Sequence, residues 1–429
     1  MHVLIFLSGV VIFKTVWNGI SMILSWRFVS LKNVIARNQS FSPKIHIVIP
    51  LLCEQDELTN LLGRFVKIIS SYSEASLTLL TTERESLYPV TGFSTATFVE
   101  NALSALPVEL RVKVHHAHYP GINKNLAEQL NWYLRQLVVE GDSHDFIAIY
   151  NADSDPGEKS IEAFLSQASY GNGRVYQQSS LFLKNETEMQ RGWHFFGITN
   201  SISQSIWTLT HEIPRLYKNR LFPNGQLAHC VAHGLFVRCD ALVEMNFFPE
   251  DSPIEDMYLG FIFRAKGEII HLIPMLESSR SPSTLSAILR QKFVWFWGPF
   301  GYFYFWNRFR RQFPEIWKSR KWWILLISVQ GALSATNWFV ITPLFLALIV
   351  GSLLLHSWIG VAVFLFYAWI PFFTFYFLTK RNPARYSLTF LCQPVLLLLH
   401  SFPAYFTIIA HVFYSTRGWE GFLRPKTRK

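Results

Sequence analysis

Two acidic clusters stand out as residues that could do chemistry. Asp153 and Asp155 close the stretch Ile147-Ala-Ile-Tyr-Asn-Ala-Asp-Ser-Asp-Pro156, where an apolar strand breaks into acids ahead of a helix. A strand delivers its last side chains to a fixed point, the edge at which open α/β sheets bind ligands. Carboxylates placed there suit a hard divalent cation that in turn grips a diphosphate. A plainer role is open to them too, because acidic strand-to-helix turns are common helix N-caps. The second cluster is Pro253-Ile-Glu-Asp-Met-Tyr-Leu-Gly260, preceded by Asp251. Its Asp251 and Glu255 also suit the first turn of a helix, where they complement the helix dipole.

The elements that must position these acids alternate. His46-Ile-Val-Ile-Pro50 reads as a strand and Glu57–Ser70 as a helix, with a second strand at Leu77–Leu80. Val112–His115 and Phe146–Tyr150 read as two more strands, with the amphipathic stretch Asn125–Val139 between them. This βαβα rhythm predicts an α/β fold with a mainly parallel sheet flanked by helices.

The chain of 429 residues is 50% hydrophobic and only 16% charged, against about a quarter charged in an ordinary soluble domain. The excess is local. Val3–Trp26 is long enough to cross a bilayer, retains Lys14 and lacks a small-residue cleavage site, so it reads as a retained anchor. Leu325–Ser352 and Ile359–Leu378 read as two further spans, and Ser387–Tyr414 is a third apolar stretch interrupted by Pro394 and Pro403. The Pro-broken stretch reads as re-entrant or interfacial. Leu285–Trp306, aromatic and edged with Arg and Lys, suits a helix lying in the bilayer interface.

The net charge of +10 does not point to nucleic acid, because the basic residues sit beside the spans. Arg27, Lys32 and Arg37 follow the first, Arg308 to Lys321 precede the second, Lys380, Arg381 and Arg385 follow the third, and Arg424 to Lys429 close the chain. Such placement marks the cytoplasmic side and favours contact with membrane lipids. Cys53, Cys230, Cys239 and Cys392 show no paired spacing and read as reduced thiols. His115, His116, His118, His229 and His233 lack zinc-ligand spacing and read as ordinary strand and loop residues.

Taken in order, these motifs resemble the membrane-integrated family 2 glycosyltransferases, the group of cellulose, hyaluronan and poly-N-acetylglucosamine synthases, and also resemble ceramide glucosyltransferases. The resemblance implies a GT-A-like fold, with Pro50 and Glu54 cradling the nucleotide base and Glu83 where the family carries an Asp that reads uracil. It implies that Lys124, in Gly121-Ile-Asn-Lys124, offsets diphosphate charge and that Asn131 lies beside the nucleotide. The family's metal motif fits in two registers, Asn151-Ala-Asp153 with Asn in place of the first Asp, or Asp153-Ser-Asp155. Asp153 belongs to both.

Gly234, in Ala232-His-Gly-Leu-Phe-Val-Arg238, matches the segment that lines the donor sugar, where glycine permits close backbone approach. Asp256, with Glu255 before it, matches the carboxylate that deprotonates the acceptor hydroxyl, a proton transfer that a weak alcohol nucleophile needs. Gln291 and Trp295 match the interfacial signature that meets the acceptor, but Val294 stands where the family has Arg, leaving Lys292 or Arg290 as substitutes.

The resemblance therefore implies a membrane-bound, Mg²⁺- or Mn²⁺-dependent inverting enzyme. It would move sugar from a UDP-linked donor to a lipid-linked or saccharide acceptor at the cytoplasmic face. The departures at Glu83, Asn151 and Val294 keep open an inactive relative that binds or escorts glycolipid or a synthase. The expected organisation is an anchor and linker over 1–40, a catalytic domain over 41–285, an interfacial helix region over 286–321, and a membrane region with basic tail over 322–429.

Overall fold

A computed structural model describes residues 1–30, 41–88, 92–122, 125–252, 254–381 and 387–414. Lys124 and several of the basic residues beside the spans, Lys32, Arg37, Arg385 and Arg424 to Lys429, lie outside the described residues. The chain divides into two compact units, one of residues 31–180 and 216–278, the other of 1–30, 181–215 and 279–429.

The first unit holds a seven-stranded sheet. Its strands are β1 (Ile45–Pro50), β2 (Ala75–Thr82), β3 (Val114–Tyr119), β4 (Phe146–Ile149), β5 (Val175–Gln177), β7 (Leu235–Arg238) and β8 (Ile270–Leu272). Two short strands, β6 (Ser180–Leu181) and β9 (Glu277–Ser278), form a separate ladder. The order is β3-β2-β1-β4-β7-β5-β8, and only β7 runs against the others. β1 and β4 are apolar nearly throughout and buried on both faces, as strands covered by helices on each side must be.

The mainly parallel α/β sheet expected from the sequence is thus present. Three of its strands escaped the sequence reading. β5, β7 and β8 span only three or four residues each, too few to show an alternation. β3 also starts later than expected, because the turn at Val112 and Lys113 completes the short Val108–Arg111 helix.

Helices cover the sheet through regular apolar stripes. In Gln55–Ser70 the buried residues Leu58, Leu61, Leu62, Phe65, Ile68 and Ile69 recur at helical spacing. Leu126–Glu140 starts at a capping box, in which the Asn125 side chain accepts from the Glu128 N–H and the Glu128 side chain accepts from the Asn125 N–H. Glu255–Lys266 ends at Gly267, which takes the left-handed conformation that a helix terminus favours.

The second unit is helical. Among the described residues, four helical segments are long and apolar enough to cross a membrane: His2–Ser30, Pro314–Leu354, Ile359–Thr379 and the pair within Leu388–His411. In His2–Ser30 the buried residues include Leu4, Ser8, Val11, Thr15, Asn18, Met22 and Ser25, spaced alternately by four and three. Small and polar residues line this packed seam, while Phe6, Phe13 and Trp17 face outward. This is the arrangement expected where lipid rather than water surrounds a bundle. The apolar stretch after 387 continues through Pro394 and breaks at His400-Ser401, giving helices Ser387–Leu399 and Phe402–Tyr414. The expected interfacial helix over Leu285–Trp306 is also two helices, Leu285–Phe300 and Tyr302–Gln312, divided at Gly301 behind Pro299.

Close approach inside the sheet unit gives a first test. A Cβ on Gly260 would meet the Cys230 nitrogen at 2.4 Å and the His229 Cα at 2.7 Å, both backbone atoms. Gly260→Ala should therefore destabilise by about 1–3 kcal/mol. Thermal unfolding of the detergent-solubilised protein measures this, and an unchanged midpoint would show that the 229–230 loop yields freely.

Candidate active site

The order β2-β1-β4 makes the gap between β1 and β4 a topological switch point: the chain passes outward from β1 to β2 and β3, then returns to the other side with β4. Ligands of open α/β sheets bind outside the carboxyl ends of the strands at such a point. Register places Pro50 beside Leu80 and Val48 beside Ile149, so Pro50–Glu54 and Asn151–Asp155 leave the sheet at this edge.

The acidic turn after β4 is clamped in place. The Ser154 N–H donates to the Asn151 carbonyl at 3.1 Å, and the Ser154 hydroxyl accepts from the Asn151 N–H at 3.3 Å. Arg64, on the helix after β1, donates to the carbonyls of Ala152 and Ser154 at 3.0 and 3.2 Å. Asp153 is buried within this turn. Asp155 follows in extended backbone, bridged to Ser278 by N–H···O bonds of 2.8 and 2.9 Å, and its carboxylate accepts from the Gly157 N–H at 3.3 Å.

Asp256 sits in the first turn of Glu255–Lys266. One carboxylate oxygen accepts from the Ala232 N–H at 2.8 Å and the other from the Met257 N–H at 2.7 Å. Part of the residue remains exposed, yet its surroundings are poor in water. Desolvation, reinforced by the neighbouring Glu255 charge, raises the Asp256 carboxyl to about 7, against the opposing pull of the two N–H donors and of His233. A carboxylate tuned to this range is suited to accepting a proton near neutrality.

The two acidic segments meet through residues that the sequence reading passed over. Glu277 follows β8 and is 1% exposed. Its carboxylate lies 2.5 Å from the His233 Nδ1, and its N–H donates to the Ser179 carbonyl at 3.0 Å. Glu277 adjoins Ser278, the bridge partner of Asp155, whereas His233 adjoins Ala232, the donor to Asp256. Gln178 ties the same parts together: its side chain donates to the Pro156 carbonyl at 2.9 Å and accepts from the Tyr150 hydroxyl at 2.6 Å. Burial, with the Glu277 charge, pushes the Tyr150 hydroxyl well above its ordinary value and keeps it a donor.

Gln177 holds the loop from the other side, accepting from the Val231 N–H at 3.0 Å and donating to the His233 carbonyl at 2.7 Å. His233, read from the sequence as an ordinary loop residue, is therefore the partner of a buried carboxylate. Its position directly before Gly234 and the apolar β7 was the available signal, and for Glu277 only an acid at the end of a short apolar run.

The other expected residues are dispersed. Pro50, Glu54 and Asn151 lie at the switch-point edge, where the Glu54 N–H donates to the Thr95 hydroxyl at 3.2 Å. Glu83, at the end of β2, is partly exposed and lies 3.2 Å from the His118 Nε2, so its carboxylate has a protein partner. Gly234 has φ +64, and a Cβ there would meet the Gln178 carbonyl oxygen at 2.5 Å. The fold thus requires glycine at 234 whether or not a ligand approaches.

Asn131 is buried and bridges to Phe248 and Glu250 rather than standing open at the edge. Gln291 and Trp295 belong to the helical unit, where the Gln204 side chain donates to Gln291 at 2.7 Å and the Trp295 ring lies 6.3 Å from that of Phe182.

Comparison with known proteins adds a likeness of sequence. Residues 215–414 match the family described as glycosyl transferase family group 2. This segment, just under half of the chain, is similar to that family. It carries Gly234, Asp256, Glu277, Gln291 and Trp295, and it begins downstream of Asp153 and Asp155. The resemblance drawn from the motifs and the family match agree: the chain is glycosyltransferase-like, with helices suited to membrane integration.

Among solved structures, the mannosyltransferase PcManGT from Pyrobaculum calidifontis, in complex with GDP-Man and Mn²⁺, is similar at 12% identity and TM-score 0.47, over 90% of this chain and 99% of that one. S. aureus TarS 1-349 in complex with UDP-GlcNAc is similar at 10% identity and TM-score 0.36, over 60% of this chain and 66% of that one. No curated protein matches by sequence.

The His233–Glu277 pair yields a test of the site's framework. Removing one partner of a buried pair strands the other charge, at a cost of about 3–5 kcal/mol. His233→Ala should show a loss of that order at neutral pH. A denaturant titration reads this, and an unchanged stability would show that the contact contributes nothing to the framework.

Proposed function

We propose that the protein is a metal-dependent, inverting glycosyltransferase of the membrane, moving a sugar from a nucleotide-diphosphate donor to a hydroxyl of a lipid-linked or saccharide acceptor. The observation that carries this reading is Asp256. Its carboxyl is tuned to about 7, and it is held on the loop that Glu277 and Gln178 tie to the Asp153–Pro156 turn.

In the proposed reaction the acceptor oxygen attacks the anomeric carbon of the donor while its proton passes to the Asp256 carboxylate. The bond to the diphosphate breaks on the opposite face, so configuration inverts. Glu255 raises the proton affinity of Asp256 and thereby matches the base to neutral pH. Pro50 and Glu54 leave the sheet where the nucleotide would lie; Glu83 is proposed for its base and Lys124, on the sequence alone, for its phosphates. Gln291 and Trp295 are proposed for the acceptor. A UDP donor is the proposed nucleotide.

Asp153 and Asp155 would hold the Mg²⁺ or Mn²⁺. Among the described residues no group of three or more His, Cys, Asp or Glu side chains surrounds a common point. Two carboxylates with oxygen donors only do not make a zinc site, but they fit a hard cation whose remaining ligands are waters and substrate phosphates. Such a cation supplies charge neutralisation for the departing diphosphate. The domain limits proposed are those of the sequence, with 41–285 catalytic and cytoplasmic. The pairing of Glu83 with His118 favours one other reading, a relative that binds glycolipid without turnover, because that carboxylate is already engaged.

Purified protein with Mn²⁺ and a panel of UDP- and GDP-sugars should release free nucleotide in the presence of acceptor, and chelation should stop it. Asp256→Asn should lower turnover by about 10²–10⁴-fold while nucleotide binding persists. Since the base must be unprotonated, kcat/KM should climb through about 7 and level off above it. Glu255→Gln should move that inflection to lower pH. Release from no donor, with no metal-dependent nucleotide binding, would favour the inactive relative.

A further inference from the structure

The helical unit contains a group of basic side chains to which the proposed reaction assigns no step. Lys292, on the Leu285–Phe300 helix, is 9% exposed. Lys14 lies midway along the first candidate span, its ammonium donating to the Asn337 side chain at 2.5 Å and sitting 6.0 Å above the Tyr367 ring. His400 lies at the break between the helices Ser387–Leu399 and Phe402–Tyr414.

Trp338 joins the three. Its ring stacks on His400 at 5.1 Å and meets Phe296, one helical turn beyond Lys292, at 5.7 Å. Its neighbour Asn337 receives Lys14, and its indole N–H donates to the His400 carbonyl at 3.0 Å. His400 is close enough to both lysines to feel their charges.

Among the described residues, no carboxylate stands within ion-pair distance of any of these three. Burial brings the Lys292 ammonium down to about 8, which still leaves it charged at neutral pH. Lysine ammoniums held in an apolar helical unit without a counter-ion are costly, and ionisable residues in such surroundings mark ligand sites. The interrupted helix at His400 is a second, independent sign, because irregular backbone at membrane depth persists where it is buried in protein or lines a cavity. Here Thr342 and Ser401 satisfy the break, with Ser401 donating to the Trp338 carbonyl at 2.7 Å and exchanging bonds of 3.1 and 3.2 Å with Thr342.

We propose that Lys14, Lys292 and His400 form a binding site for the phosphate of an anionic membrane lipid. A phosphate supplies the missing negative charge and accepts from all three donors, and its acyl or isoprenoid tail belongs in the surrounding apolar helices. Taking that lipid as the sugar acceptor rests on the function proposed above; the binding itself does not.

The test uses the full chain in nanodiscs of phosphatidylcholine, which bears no net charge, titrated with a fluorescent phosphatidic acid, with inorganic phosphate as a competing arm. Saturable binding is expected, weakened by about tenfold or more in Lys14→Gln and in Lys292→Gln, the scale of removing one charged partner from a buried contact. Lys292→Met, which keeps the apolar stem and discards the charge, should fold and show the same loss. Equal affinity in wild type and all three variants would overturn the site. Competition by inorganic phosphate at the same concentrations as the lipid would overturn the lipid assignment. Nucleotide release is measured in the same samples, so failure of sugar transfer with lipid binding intact would remove the enzymatic reading and leave this site standing.

Discussion

The sheet unit depends on one constraint: the loop from Val231 to Gly234 must lie against the ends of β5 and β4. Gln177 binds it at both ends, Gln178 leaves room only for a glycine at 234, and Glu277 pairs with His233 within it. With the loop so held, the Ala232 N–H has a fixed direction, and the Asp256 carboxylate is aimed by accepting from it. A buried polar network of this kind repays its desolvation only when every member is satisfied, so the same contacts that stabilise it also leave little freedom of geometry. An acid whose pKa is raised to about 7 is a consequence of that enclosure.

The antiparallel strand β7 is what makes this possible. A parallel strand would deliver its C-terminal end to the ligand edge; β7, running the other way, delivers its N-terminal end, and with it the 231–234 loop. The sheet thus gathers at one edge the C-terminal ends of β1, β2 and β4 and the start of β7. Arg64 adds rigidity from the helix side by fixing the carbonyls of the acidic turn. Side chains outside the acidic clusters therefore determine where the acids stand.

In the helical unit the physical problem is reversed. Apolar residues face outward, and small or polar ones form the packed seam of His2–Ser30. In surroundings where hydrophobicity does not drive helices together, close backbone approach and internal hydrogen bonds do so. Gly331 and Gly360 show how tight that approach is, for a Cβ on either would run into the Tyr302 ring or the Leu348 carbonyl. Basic groups without a counter-ion stand out against such a background.

The sequence alone determined the class of the sheet, the candidate spans and the identity of the two acidic clusters. Those properties are local: continuous apolar runs, helical periodicity and an acid at a strand's end are visible within a dozen residues. It did not reveal the three- and four-residue strands β5, β7 and β8, whose strand character comes from their neighbours. Nor did it reveal that Glu277 would pair with His233, a contact across 44 positions from 233 to 277 between two residues with no motif of their own. Only the tertiary structure decided which polar side chains are enclosed together, because enclosure is a property of packing, and packing is what turns a pair of unremarkable residues into a fixed contact.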